Sequence, residues 1–233
     1  MDSSFARNGY LESRSYYPPA RARHTATPVT EDGNFTIVFG GYKTKTSGNR
    51  EDETYGDNTY GSSIGQPLND ARQLQTVFKG DGVRFIWKRL CNLGAPPPAR
   101  WGHAAVCIGN SAMVVYGGCG EVVDLNLPRN PVSEVNTALD DCYVFHLGGF
   151  APGKGPLRSS VEAGDGLWVR VPGSCGLGGR VCPSATVAGG AIIVFGGSRG
   201  KEDIADGKGE ITRYLKDARI TDAEALLQLD LVD

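Results

Sequence analysis

Phe35-Thr36-Ile37-Val38-Phe39-Gly40-Gly41 returns as Ala112-Met113-Val114-Val115-Tyr116-Gly117-Gly118, and again as Ala191-Ile192-Ile193-Val194-Phe195-Gly196-Gly197. A five-residue apolar run rich in β-branched and aromatic side chains describes a short strand covered on both faces, because a strand with one wet face alternates apolar and polar residues. The glycine pair that closes each run marks a strand exit where the backbone takes positive φ or lies too close to a neighbour for a Cβ. Three copies spaced about 80 residues apart define a repeat, and the repeat fixes the architecture.

Working outward, each run is preceded by a second common element: Arg21-Ala22-Arg23-His24-Thr25-Ala26, Arg100-Trp101-Gly102-His103-Ala104-Ala105 and Arg180-Val181-Cys182-Pro183-Ser184-Ala185. A third element follows an aspartate. It is Gln73 to Phe78 after Asp70, Cys142 to Leu147 after Asp141, and Leu226-Leu227-Gln228-Leu229 after Asp222. The fourth carries a tryptophan, in Trp87-Lys88-Arg89-Leu90 and Trp168-Val169-Arg170-Val171. Four short strands joined in sequence make an antiparallel meander that cannot cover both of its faces alone, and radial stacking of such sheets covers them. Trp87 and Trp168 are then expected as spacers between blades, where a large ring fills the wedge between diverging sheets.

The Arg-x-x-His opening, the run ending in Gly-Gly and the later Trp resemble the motif of the kelch family, over residues 18 to 231. The chain departs from the family in two ways: Pro183 stands at the third histidine position, and the repeat is near 80 residues against a norm of about 50. The resemblance implies an all-β fold of kelch-type β-propeller blades, each a four-stranded antiparallel meander. Residues 1–17 would form an N-terminal tail or closing strand around Tyr10-Leu11-Glu12. Blade 1 would span 18–97, blade 2 98–177, and blade 3 178–233 without its fourth strand. Propellers close with about four to eight blades, so an incomplete ring is expected, part of a longer propeller, with radial faces open to self-association.

Composition narrows the function. A net charge of −2 over 233 residues gives no broad basic field for a polyanion, so nucleic acid is not an expected partner. Glycine at 33 residues without a Gly-X-Y period speaks for many tight turns. The start of the chain mixes Asp2, Arg7, Glu12 and Arg14 with polar residues and shows no apolar signal-peptide core. No apolar stretch approaches the length of a membrane span. With Cys91, Cys107, Cys119, Cys142, Cys175 and Cys182 expected as free thiols, these features point to the cytoplasm, or the nucleus.

The long segments after the glycine pairs, Tyr42 to Leu68, Cys119 to Leu139 and Ser198 to Thr221, all leave strand two of a meander and therefore share one face of the stack. Segments of this length in a compact domain are usually functional or disordered. On that face Arg21, Arg23, Arg100, Trp101 and Arg180, with Tyr55 and Tyr60 of the first loop, are the candidate contacts with a protein partner. The arginines have a structural alternative as donors to neighbouring backbone. No catalytic, cofactor or metal site is expected. Gly148-Gly149-Phe150-Ala151-Pro152-Gly153-Lys154-Gly155 has the spacing of a phosphate loop but lacks the hydroxyl after the lysine, and Pro156 follows. The alternative to an interaction module is a kelch-like propeller enzyme, a metal-dependent oxidase or a sugar-active protein.

Overall fold

A computed structural model describes residues 17–30, 33–43, 66–80, 82–109, 112–120, 138–147, 165–173, 176–203 and 210–222. The described residues contain strands and turns and no helix. The tail around Tyr10, the loop residues Tyr55 and Tyr60, the Gly148 to Gly155 segment and Leu226 to Leu229 lie outside them.

In the first blade β1 (Thr25–Pro28) and β2 (Phe35–Phe39) form a hairpin. A short ribbon, β3 (Tyr42–Lys43) with β4 (Gln66–Pro67), stands at the base of the first long loop. The chain returns through β5 (Ala71–Lys79) and β6 (Gly82–Arg89), giving the all-antiparallel order β1-β2-β5-β6. After β7 (Cys91–Gly94) and β8 (Arg100–Trp101), the second blade repeats the meander as β9 (Ala104–Ile108), β10 (Ala112–Tyr116), β12 (Cys142–Leu147) and β13 (Asp165–Arg170). Between them β11 (Cys119–Gly120) pairs with β8. The third blade comprises β14 (Ser184–Ala188), β15 (Ala191–Phe195) and β18 (Ala218–Asp222), with a ribbon of β16 (Ser198–Asp203) and β17 (Glu210–Tyr214) at its loop. The described residues thus form all-β antiparallel meanders packed sheet against sheet, and they do not close into a barrel.

Two expectations need correction. The second blade has five strands, because β7 runs parallel to β13 along its outer edge and satisfies backbone groups that an edge strand leaves unpaired. The third strand of the third blade begins after Asp217, not after Asp222. Phe195 pairs with Ala218 in the register that joins Phe39 to Ala71 and Tyr116 to Cys142.

The core lies between the blades. Met113 and Val115 of β10, with Tyr143, Phe145 and Leu147 of β12 and Trp168 of β13, pack on Val29, Ile37, Phe39, Ala71 and Leu90 of the first blade. The alternate residues of the same strands, Ala112, Val114, Tyr116, Cys142 and Val144, pack on Ile192 and Val194 of the third. The period of two sends successive side chains to opposite faces, so the apolar runs are buried twice.

Trp168 is buried in the junction of blades 1 and 2, its ring 5.0 Å from Phe39 across the gap and 4.6 Å from Phe145 beside it. Its ring fills the space between the two sheets. Trp87 occupies the same register, opposite Leu74 as Trp168 is opposite Phe145. Its face of the sheet is the one turned away from blade 2, so it is only half-buried. Trp168→Ala is expected to cost about 3–5 kcal/mol in urea unfolding, as for other buried large aromatics, and Trp87→Ala in dilute solution clearly less. Equal losses would contradict this assignment of faces.

Candidate functional site

Each blade opens with an arginine that its backbone turns inward. The Arg100 guanidinium places Nη1 and Nη2 on the two oxygens of Asp141, at 2.6 and 2.8 Å, and Nη1 also donates to the Gly117 carbonyl at 3.0 Å. Arg21 repeats the fork on Asp70 at 2.8 and 2.9 Å with the Gly40 carbonyl at 3.0 Å. Arg180 holds Asp217 at 3.0 Å and the Gly196 carbonyl at 2.8 Å. One cation thus ties the start of strand one, the end of strand two and the start of strand three.

The same arginines link neighbouring blades through their backbone. Gly41 N–H donates to the Arg100 carbonyl at 2.9 Å, and Gly118 N–H to the Arg180 carbonyl at 2.8 Å. A Cβ on Gly118, whose φ is +93°, would lie 2.8 Å from the Trp101 carbonyl oxygen. That close approach and the left-handed backbone both require glycine. Two residues after each arginine the chain turns through positive φ, at Arg23 (53°), Gly102 (60°) and Cys182 (54°). Cys182 N–H donates to the Gly102 carbonyl and Gly102 N–H to that of Arg23, a ladder running from blade to blade.

His103 sits in the first junction, Nε2 2.8 Å from Thr25 Oγ1 of the preceding blade, with its ring edge-on to Phe39. Burial, then the charge of Arg100, then His24, depress its pKa to about 3, so the ring is neutral at ordinary pH. Burial pulls the Asp70 carboxyl upward, but hydrogen bonds from Arg21 and Arg72 outweigh it and hold the group below the usual carboxylate range. Hydrogen bonds from Arg180 and Arg219 bring Asp217 down to about 2.

The partner contacts expected at Arg21, Arg100 and Arg180 are therefore corrected. Arg100 and Arg180 are buried and their guanidinium groups are taken up by carboxylates and carbonyls, and the Arg21 side chain is 4% exposed. Trp101 is buried as well, packed with Cys119 and Val181 and edge-on to Tyr42 at 6.0 Å. Arg23 remains exposed on the mouth, its guanidinium 4.9 Å above the Trp101 ring.

Those contacts build a pedestal for the loops. Tyr42 bridges Ala22 and pairs with Pro67; Cys119 pairs with Trp101 and bridges Ala138; Ser198 bridges Val181 and pairs with Tyr214. Each long loop leaves from and returns to a matching stem on one face, and apolar packing among Tyr42, Trp101, Cys119, Ala138 and Val181 joins the stems sideways. Asp217 is the site residue that sequence reasoning missed. Its signal is Leu215-Lys216-Asp217, which matches Leu68-Asn69-Asp70 and Leu139-Asp140-Asp141. In each case the leucine N–H donates to the carbonyl of the second glycine of the pair. Among the described residues no three His, Cys, Asp or Glu side chains gather in a metal-holding group.

No family model matches the chain. Adagio-like protein 1 of Oryza sativa subsp. japonica is 28% identical over 206 residues, which cover 77% of this chain and 28% of that protein. Adagio protein 3 of Arabidopsis thaliana is 31% identical over 108 residues, 46% of this chain and 13% of the relative. The chain spans less than a third of the length of these curated relatives. The solved structure of YjhT is similar at 17% identity and a TM-score of 0.42, over 85% of this chain and 42% of that one. The likeness to Adagio-like proteins, at low identity, supports kelch repeats.

Asp141→Asn leaves the buried Arg100 without its counter-charge and is expected to cost about 3 kcal/mol in urea unfolding; a loss within error would place the clamp outside the stabilising contacts. His103 binds a proton more readily unfolded (6.5) than folded (about 3), so its contribution is complete above pH 6.5 and is lost as pH falls toward 3. Asp217 adds a loss of the same sign between 3.8 and about 2. Unfolding free energy followed against pH is expected to fall across both windows, and His103→Gln to reduce the fall in the upper one, where His24 and His146 also titrate, and to leave the lower one unchanged.

Proposed function

We propose that this chain is a protein–protein interaction module, a scaffold that engages a protein partner through the long-loop face of a kelch-type propeller in the cytoplasm or nucleus. One observation supports it most: three matched loop stems leave the same face and are locked together by the Tyr42, Trp101, Cys119 and Val181 packing. Rigid support with variable chemistry on top is the arrangement by which loop surfaces recognise partners. The first loop, with Tyr55 and Tyr60 among Gly, Ser, Thr and Asn residues, has the composition of adaptable contact loops. Exposed Arg23, stacked over Trp101, adds a cation at the rim. The arginines of the clamp support the surface and do not form it.

Removing residues 47–63 spares the β3–β4 stem and is expected to abolish partner capture, detected by chemical cross-linking from lysate, while the thermal melt is retained. Arg23→Ala is expected to weaken the same capture about tenfold. Undiminished capture by both variants would move the contact surface elsewhere.

A further inference from the structure

Two cysteines meet one dipeptide of the second blade, Trp101-Gly102, at its junction with the third. Cys119 of β11 lies directly across the ladder from Trp101 and packs with it and with Val181 of the third blade in one apolar cluster. Cys182, the residue after Val181, donates its N–H to the Gly102 carbonyl at 2.6 Å. The Cys182 Sγ stands 2.8 Å from the point that a Cβ on Gly102 would occupy, so the missing side chain of Gly102 leaves the space beside the sulfur. Both cysteines are reduced thiols in the structure, Cys119 buried and Cys182 exposed.

Cys182 is a costly residue at its position. Its φ is 54°, in the left-handed region that residues other than glycine rarely adopt, and its repeat counterpart Gly102 is what the turn alone would select. Strain of this kind gathers where a side chain has a task. At the junction of blades 1 and 2 the places of Cys119 and Cys182 are held by Tyr42 and Gly102. Among the described residues a thiol therefore stands on both sides of one junction alone.

The two thiols are unequal. Burial, then the charge of Cys182, pushes the Cys119 thiol up to about 12, so it stays protonated at neutral pH, and Cys182 is close enough for its charge to contribute. An external oxidant meets Cys182 first, at the surface. Cys119, beneath it, is reached from within the junction.

We propose that Cys119 and Cys182 are a redox pair, which a small-molecule disulfide oxidises to a cross-link between blades 2 and 3 at the base of the long loops. The Cys182 thiolate attacks one sulfur of the external disulfide and expels a thiolate, leaving a mixed disulfide on Cys182; the Cys119 thiolate then attacks Cys182 Sγ and expels the second. One disulfide is reduced to two thiols while two protein thiols are oxidised to one disulfide, and the protons of Cys119 and Cys182 pass to the two leaving thiolates. Cys119 belongs to the stem of the second loop, and Val181, beside Cys182, bridges Ser198 at the stem of the third. The bond therefore ties the two stems together covalently. This chemistry does not depend on what the loops bind.

Oxidised glutathione is the probe, incubated with the 233-residue chain and followed by mass spectrometry of the acid-quenched, alkylated and digested protein. The peptides carrying Cys119 and Cys182 are expected to be joined, with no glutathione retained on either, and dithiothreitol to separate them again. Cys119→Ala is expected to stop at one glutathione held on Cys182. Cys182→Gly, which restores the residue found at 102, is expected to slow modification of Cys119 roughly tenfold or more, since the buried thiol then has no exposed relay. Thermal melts of both variants separate lost folding from lost chemistry, and the linkage map of the unaltered chain is decisive by itself. Glutathione retained on Cys182 of the unaltered chain, links among the other cysteines as frequent as that of Cys119 with Cys182, or Cys119 modified at an undiminished rate in a folded Cys182→Gly would overturn the proposal.

Discussion

The forked arginine at the mouth of each blade is the contact on which the rest is arranged. A buried guanidinium has several N–H donors and no acceptor, so it is tolerable only where carboxylate and carbonyl oxygens converge on it. Arg100 finds them at Asp141 and Gly117, and in doing so fixes where strand two stops and where strand three starts. Its own carbonyl then takes the Gly41 N–H of the preceding blade. A single residue thereby sets register inside one sheet and position against the next. This is why segments of unequal length can be inserted between the second glycine and the Leu-x-Asp turn without disturbing the strands on either side.

The middle blade shows how little a blade can do alone. Strands β10 and β12 are buried along their whole lengths, one set of side chains serving the first junction and the alternate set the second. Apolar contact inside a single pleated sheet is limited to cross-strand pairs, so the hydrophobic free energy is gained at the junctions. Stability in such an array is shared between neighbours, as in other repeat folds. Among the described residues the two outer sheets have one neighbour each, and they keep exposed aromatics that their counterparts in the centre bury.

Most of this architecture is legible in the sequence because the residues that carry it have few substitutes. The glycine pairs, the Arg openings and the apolar runs all fall on strands or turns at the expected places, and Trp168 fills its junction. What is not legible depends on long-range geometry. A search by apolar content leads to Asp222 and passes over Asp217, whereas β18 is Ala218–Asp222, with Arg219 and Asp222 among its five residues; an outer strand beside an unoccupied face need not be apolar. Whether Trp87 is covered cannot be told from its spacing, since both tryptophans have the same register and differ only in whether a described blade packs on that side. Arg21, Arg100 and Arg180 look like interface anchors because the residue type is the same in either role; burial and the matching aspartates separate the two.

Strand β7 has a consequence for the order of assembly. Its residues, Cys91–Gly94, belong by sequence to the end of the first blade, yet they complete the sheet of the second by pairing in parallel with Asp165–Arg170. A chain emerging from the ribosome makes β7 well before its partner exists, and parallel pairing over so long a loop is entropically slow. Until β13 arrives, β7 is a bare edge and Phe39 has no tryptophan above it. The first blade therefore reaches its final packing only when the second is finished, which makes the two a single vectorial folding step and leaves the nascent intermediate, with its open β-edge, the state most in need of chaperone cover.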